Sequence, residues 1–157
     1  MFPALRPILN KGGAGRYISR AESVERLLPI SERHLDLLRT YDGVLAGMSD
    51  GPAKSRLEAM MPYLRTEVTK VSETILSLGG TPDSGADRRP AAPTSGTERE
   101  RIDALLNAER DFGAALRDES EAVHHQERTR AILNHNAEAS TSRMNLLRDL
   151  TADLARD

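Results

Sequence analysis

The sequence predicts an all-α fold: an antiparallel four-helix bundle with a long connection between its second and third helices. Three observations carry this. Four stretches place apolar residues alternately three and four positions apart, the period of a helix with one buried face. Aromatic residues make up only 3% of the chain and tryptophan is absent. The core palette is therefore Leu, Ile, Val, Met and Ala, without the β-branched and aromatic runs of sheets. The intervals between the stretches are two short turns and one long connection, the layout of a bundle with a single crossover.

Taken in order, residues 1–19 form a basic arm. Arg6, Lys11 and Arg16, with Arg20 at the boundary, face no acid, and Pro3 and Pro7 interrupt the apolar Phe2, Leu5, Ile8 and Leu9. An unbroken apolar core and a small-residue cleavage site, the marks of a secretory signal, are missing. The arm reads either as a flexible tail or as a segment that docks on an acidic partner, a neighbouring subunit or a membrane surface.

The bundle domain spans residues 20–157. Ser19-Arg-Ala-Glu22 is a capping box that starts the first helix near Arg20. Its inward stripe reads Val24, Leu28, Ser31, Leu35, Leu38, Asp42, Leu45. Gly47 to Gly51 make a turn short enough to set the first two helices side by side and antiparallel. The second helix is the clearest: Leu57, Met61, Leu64, Val68, Val71, Ile75 and Leu78 alternate at four and three without a miss. Pro52 suits its first turn, Gly79 and Gly80 its stop, and Pro62 predicts a kink.

Residues 81–96 form a linker of Pro, Gly, Ser, Ala and Asp, long enough to cross from one end of a bundle to the other. Thr97-Glu-Arg-Glu100 is a second capping box. The third helix buries Ile102, Leu105, Glu109, Phe112, Leu116, Glu119 and Val123, and the fourth Leu133, Ala137, Ser140, Met144, Leu147, Thr151 and Leu154. No Gly or Pro separates these two helices. A turn is placed near Asp118 to His125, where polar residues are densest and Asp118 or Ser120 could cap a new helix. The alternative is one helix of about 55 residues, far beyond the usual length.

Composition excludes several classes of function. Cysteine is absent, so disulfides, thiolate metal sites and cysteine nucleophiles are not available. That suits a cytoplasmic protein. The net charge is −2 with 29% charged residues of both signs, unlike the concentrated basic face of a nucleic-acid binder. No apolar run approaches the roughly 18 residues of a membrane span. Gly12-Gly-Ala-Gly15 follows no strand and lacks the Lys-Ser/Thr of a phosphate loop. No nucleophile, base and orienting group come together in the pattern.

The second helix and its exit, Pro62-Tyr-Leu-Arg-Thr-Glu-Val to Ile75-Leu-Ser-Leu-Gly-Gly-Thr-Pro, resemble the end of helix B in small bacterial branches of the ferritin-like superfamily whose function is undefined. Ile102-Asp-Ala-Leu-Leu-Asn-Ala-Glu109 resembles the segment carrying the single glutamate of helix C. The resemblance covers roughly residues 20–155 in layout. It implies a metal site built from one Glu on each of two helices and a Glu-x-x-His on each of the other two. Residue by residue, the chain departs from that site. Glu67 matches a glutamate, but Lys70 stands at its histidine position. The fourth helix offers Asn136 and Ala137 or Ser140, and the first offers Ser31, Leu35 and Leu38. Only Glu109 remains as an inward ligand, so no di-iron centre and no cofactor is expected.

Other candidate ligands are sparse. Glu121-Ala-Val-His124 is the one Glu-x-x-His in the chain and lies near a helix end. His135-Asn-Ala-Glu138 has ligand spacing in reverse order, and Glu32 and His34 lie on different faces. A non-standard metal site would use Glu67, Glu109, His135 and Glu138. Glu109 and Glu119 occupy otherwise apolar positions and need partners, for which Lys70, Arg65 and Arg143 are candidates.

The resulting expectation is a non-catalytic ferritin-like bundle acting through self-association or protein binding. The alternatives are a metal-binding ferritin-like protein using the non-standard site, and a helical export chaperone with an open groove. A homo-oligomer, dimer or higher, is expected, with the outward apolar residues Ile30, Leu37, Met60, Tyr63 and Leu146 as its candidate face.

Overall fold

A computed structural model describes residues 19–86, 89, 94–123 and 126–157. The basic arm apart from Ser19, the Gly12 to Gly15 cluster, linker residues 87, 88 and 90–93, and His124 and His125 lie outside them. Four helices account for most of the described chain: α1 (Arg20–Gly47), α2 (Pro52–Ser77), α3 (Glu98–Ala122) and α4 (Glu127–Leu154). The four-helix all-α architecture is as the sequence predicts.

Helix starts follow from capping chemistry. Ser19 Oγ accepts a hydrogen bond from the Glu22 amide at 3.2 Å. At α3 the reciprocal box is complete: the Glu100 amide donates to Thr97 Oγ1 at 3.1 Å, and the Thr97 amide donates to Glu100 Oε2 at 2.7 Å. Pro52 occupies the first turn of α2. Gly79, with φ +88°, supplies the left-handed stop. Gly80 serves a different need: a Cβ there would lie 2.5 Å from Val24 Cγ1 and 2.8 Å from Ile75 Cγ2, so α2's exit packs tightly on the start of α1. Both α1 and α2 run unbroken through their internal prolines, Pro29 and Pro62.

Connectivity follows from contacts at the two ends. The exit of α2 lies beside Val24, near the start of α1. The chain re-enters at the opposite end, where the Thr94 amide donates to the Gly43 carbonyl at 3.0 Å and Arg101 Nε donates to the Thr94 carbonyl at 2.8 Å. A Cβ at Gly47 would lie 2.6 Å from that carbonyl, so glycine admits the close approach. The connection thus returns the chain to the end where α2 began, and α2 and α3 run parallel. The start of α4 meets the start of α1 through Thr129 and Ser23, and the end of α2 through Arg128 and Ser77. Its far end meets Arg56 through Asp153. Around the bundle the close neighbours are α1 with α2 and α3, and α4 with α3 and α2. All four pairs are antiparallel; α1/α4 and α2/α3 are the parallel diagonals.

The predicted stripes of α2, α3 and α4 lie at the core, with Leu78, Glu119, Thr151 and Leu154 half-buried at its margin. On α1 the stripe is displaced. The buried residues are Leu27, Ile30, His34, Leu37, Tyr41 and Val44, with Ser31 beside them. Val24, Leu28, Leu35, Leu38 and Leu45 flank the core instead. This corresponds to a turn of about 100° about the helix axis, one residue's worth. It removes Ile30 and Leu37 from any outward oligomer face, because they are 2% and 3% exposed.

A turn separates α3 from α4, but Asp118 and Ser120 do not cap it. α3 continues to Ala122, because Val123 (2% exposed) completes its core stripe and Ser120 is buried against Asn134. Gln126 precedes α4 without a side-chain cap.

Candidate functional site

The centre of the bundle is polar. Glu109 on α3 is fully buried, an arrangement that costs several kcal/mol unless the charge is paired and hydrogen-bonded. Four donors meet it. Tyr41 Oη on α1 donates to Oε1 at 2.7 Å, and Ser140 Oγ on α4 donates to Oε2 at 2.7 Å. Arg143, also on α4, donates from Nε to Oε1 and from Nη2 to Oε2 at 3.3 Å. Each carboxylate oxygen therefore accepts two bonds, which fills its lone-pair sites. The spacing of three between Ser140 and Arg143 puts both on one face of α4, so one helix supplies three of the four donors. Arg143 then donates from Nη1 to Glu67 Oε2 on α2, and all four helices join in one network.

The charge states follow from the same geometry. Burial works against the Arg143 charge, but the charge and hydrogen bonds of Glu109, with Glu67 behind them, outweigh it and hold the guanidinium above its ordinary pKa. Burial, reinforced by Glu109, pushes the Tyr41 hydroxyl well above its ordinary value, so it serves only as a donor. Tyr41 is thus locked protonated, and the lone-pair sites of both Glu109 oxygens are all engaged.

His34 on α1 is buried nearby and stacks on Phe112, with ring centroids 4.8 Å apart and planes 26° from parallel. Among the described residues, neither ring nitrogen has a hydrogen-bond partner. Desolvation, and then the Arg143 charge, lower its pKa to about 3, so it is neutral at pH 7.

The predicted site residues divide into two groups. Glu67 and Glu109 converge on Arg143, whereas His135 and Glu138 are exposed on the outer side of α4 and do not join them. Of the partners proposed for Glu109, Arg143 is the one used. Arg65 pairs with Asp42, Lys70 is exposed, and Glu119 pairs with Arg26 at 3.1 Å. Among the described residues, no three His, Asp or Glu side chains gather as a metal-binding group. Tyr41 and His34 escape the predicted stripe, yet the signal is in the sequence. Leu27, Ile30, His34, Leu37, Tyr41, Val44 and Met48 alternate at three and four with one polar member, against two in the stripe through Ser31 and Asp42.

No family model matches the chain, and no curated protein is significantly similar to it.

Two outcomes follow from this geometry. Arg143→Ala strands a buried carboxylate and should cost about 3–5 kcal/mol in urea unfolding. Glu109→Gln turns an amide donor toward converging donors, so it should cost more than the exchange of one neutral hydrogen bond, about 2 kcal/mol or more. Combined with Arg143→Met it should cost less than the sum of the two, with a coupling of about 1–3 kcal/mol; additive effects would mean that the two side chains do not meet. The second outcome concerns pH. The folded-state pKa of His34 lies below its unfolded value, so folding keeps the ring neutral while the unfolded chain takes up a proton. Its contribution is whole above about pH 6.5 and is lost as pH falls toward 3, at up to about 1.4 kcal/mol per pH unit. His34→Leu should flatten the stability profile between pH 6 and 4; an unchanged slope would assign it to other groups.

Proposed function

We propose that the chain is a non-catalytic, ferritin-like bundle that acts through self-association or protein binding, with an arginine standing where metal-binding bundles hold ions. The observation that carries this reading is the Arg143 guanidinium between Glu67 and Glu109 at the centre of the four helices. The connectivity supports it: a single long crossover between two parallel helices is the ferritin-like arrangement among four-helix bundles. In that frame Glu67 and Glu109 take carboxylate positions. The two Glu-x-x-His pairs become Glu67-x-x-Lys70 on α2 and Ser140-x-x-Arg143 on α4.

This donor set does not fit a metal pair. Adjacent divalent ions need bridging carboxylates to offset their repulsion and imidazoles to complete each shell. Glu109 has no lone pair left for a metal, and Glu67 is shared with a guanidinium that would repel one. His135 and Glu138 face away from the network. A bundle whose polar centre is closed in this way presents its surface, not its core, to other molecules.

Elemental analysis of the purified protein tests the reading. We expect less than one equivalent of iron, manganese or zinc per chain and no iron-oxidation activity. Two bound ions per chain, lost on Glu109→Gln, would overturn it.

A further inference from the structure

Of the four antiparallel seams, the one between α2 and α4 is the least closely packed. A groove of about 480 Å³ runs along its outer side, above the Glu67–Arg143 pair. Small side chains, Ala59 on α2 and Ala139 and Ser142 on α4, leave it open. Tyr63 stands at its rim and is 72% exposed, one of two large apolar side chains in the described residues left so open. Met60 and Leu146 are half-buried beside it. A knob beside a hole on one face is what a two-fold contact between identical copies needs, because each copy can fill the other.

The charges on the rims have the same property. By helix register, Arg56 and Lys70 fall on the groove side of α2, about two turns either side of Tyr63, and Glu138 and Asp149 fall on the groove side of α4, on the same face as Ser142. Arg56 lies 3.9 Å from Asp149 and 3.3 Å from Asp153 across the seam. Lys70 and Glu138 have no ion-pair partner among the described residues and are both exposed. The antiparallel register follows from two pairs, Glu67 with Arg143 and Arg56 with Asp153. Carried along the seam, it sets Tyr63 level with Leu146, and Lys70 level with Glu138. A two-fold axis parallel to the helices keeps those levels and lays each α2 on the partner subunit's α4. Basic rim then meets acidic rim twice, and each Tyr63 meets the apolar floor around the partner subunit's Leu146.

We propose that this α2–α4 face joins two copies of the chain in a symmetric dimer, with Tyr63 as the central anchor and Lys70 opposite Glu138 at the edge. The inference rests on the self-association reading above and assigns it to one surface. Aromatic anchors in a desolvated centre carry most of such binding, and rim charges set register.

Light scattering and sedimentation across a concentration series test it. The unmodified protein should be a dimer at tens of micromolar. Tyr63→Glu should raise the dissociation constant about 30-fold or more without changing the helical circular dichroism. Leu76→Glu, on another face of α2, should leave the dimer intact. Lys70→Glu and Glu138→Lys should each weaken it, and the two together should restore it; a role confined to one chain would leave the dissociation constant unmoved. A dimer that survives Tyr63→Glu but dissociates with Leu76→Glu overturns this face and leaves self-association standing. An unmodified protein that stays monomeric at 100 micromolar overturns both the face and self-association.

Discussion

A carboxylate with no exposed surface at the centre of four helices must be met by donors on every side, and meeting Glu109 sets how the helices sit. α1 has to turn Tyr41 inward. α4 has to present Ser140 and Arg143 on the same face. The guanidinium then has hydrogen-bonding capacity left over, and Glu67 on α2 takes it. A network of this kind contributes less to net stability than its number of bonds suggests, since apolar residues of the same volume can do as well. Its effect is on register: any slip of one helix by a residue leaves a charge or a hydroxyl unpaired at a cost that a purely apolar core would not impose.

The α1 stripe shows what a pattern alone can and cannot deliver. Leucine doublets at Leu27-Leu28 and Leu37-Leu38 make two frames look alike from periodicity. The frame through Tyr41 and His34 asks for a buried hydroxyl and a buried imidazole, which looks costly until the partner on α3 is known. Glu109 supplies a partner for the hydroxyl, 68 residues away in sequence, and Phe112 on the same helix stacks on the imidazole. By contrast, the stripe and both ends of α2 were legible, because the stripe is wholly apolar and the ends carry local backbone signals at Pro52 and Gly79. The start of α3 was legible for the same reason, through Thr97 and Glu100. The end of α3 was not: Asp118 and Ser120 look like caps, but the need to bury Val123 extends the helix past them.

Of the site, the sequence disclosed that Glu109 needed a partner and named Arg143 among three cations. It could not choose between them, because Arg65, Lys70 and Arg143 differ in reach and level only once the crossover has set α2 parallel to α3. That same crossover puts Glu67 and Glu109 on diagonal helices with α4 between their side chains. The network and the slack α2–α4 seam are therefore parts of one arrangement. Arg143 spans the gap from α4 to Glu67 where small residues leave room outside, and the groove lies over that span.

Arg143 serves as the resident cation of the bundle, held by Glu109 and Glu67. The most direct measurement is nitrogen-15 NMR of the arginine side chains during titration with manganous ion. The Arg143 Nε–H should give one resolved resonance, protected from solvent exchange at pH 7, in contact with the Tyr41 ring and unbroadened by the added metal. A resonance that exchanges rapidly with water, or that is broadened away by manganous ion at one equivalent, would contradict the account.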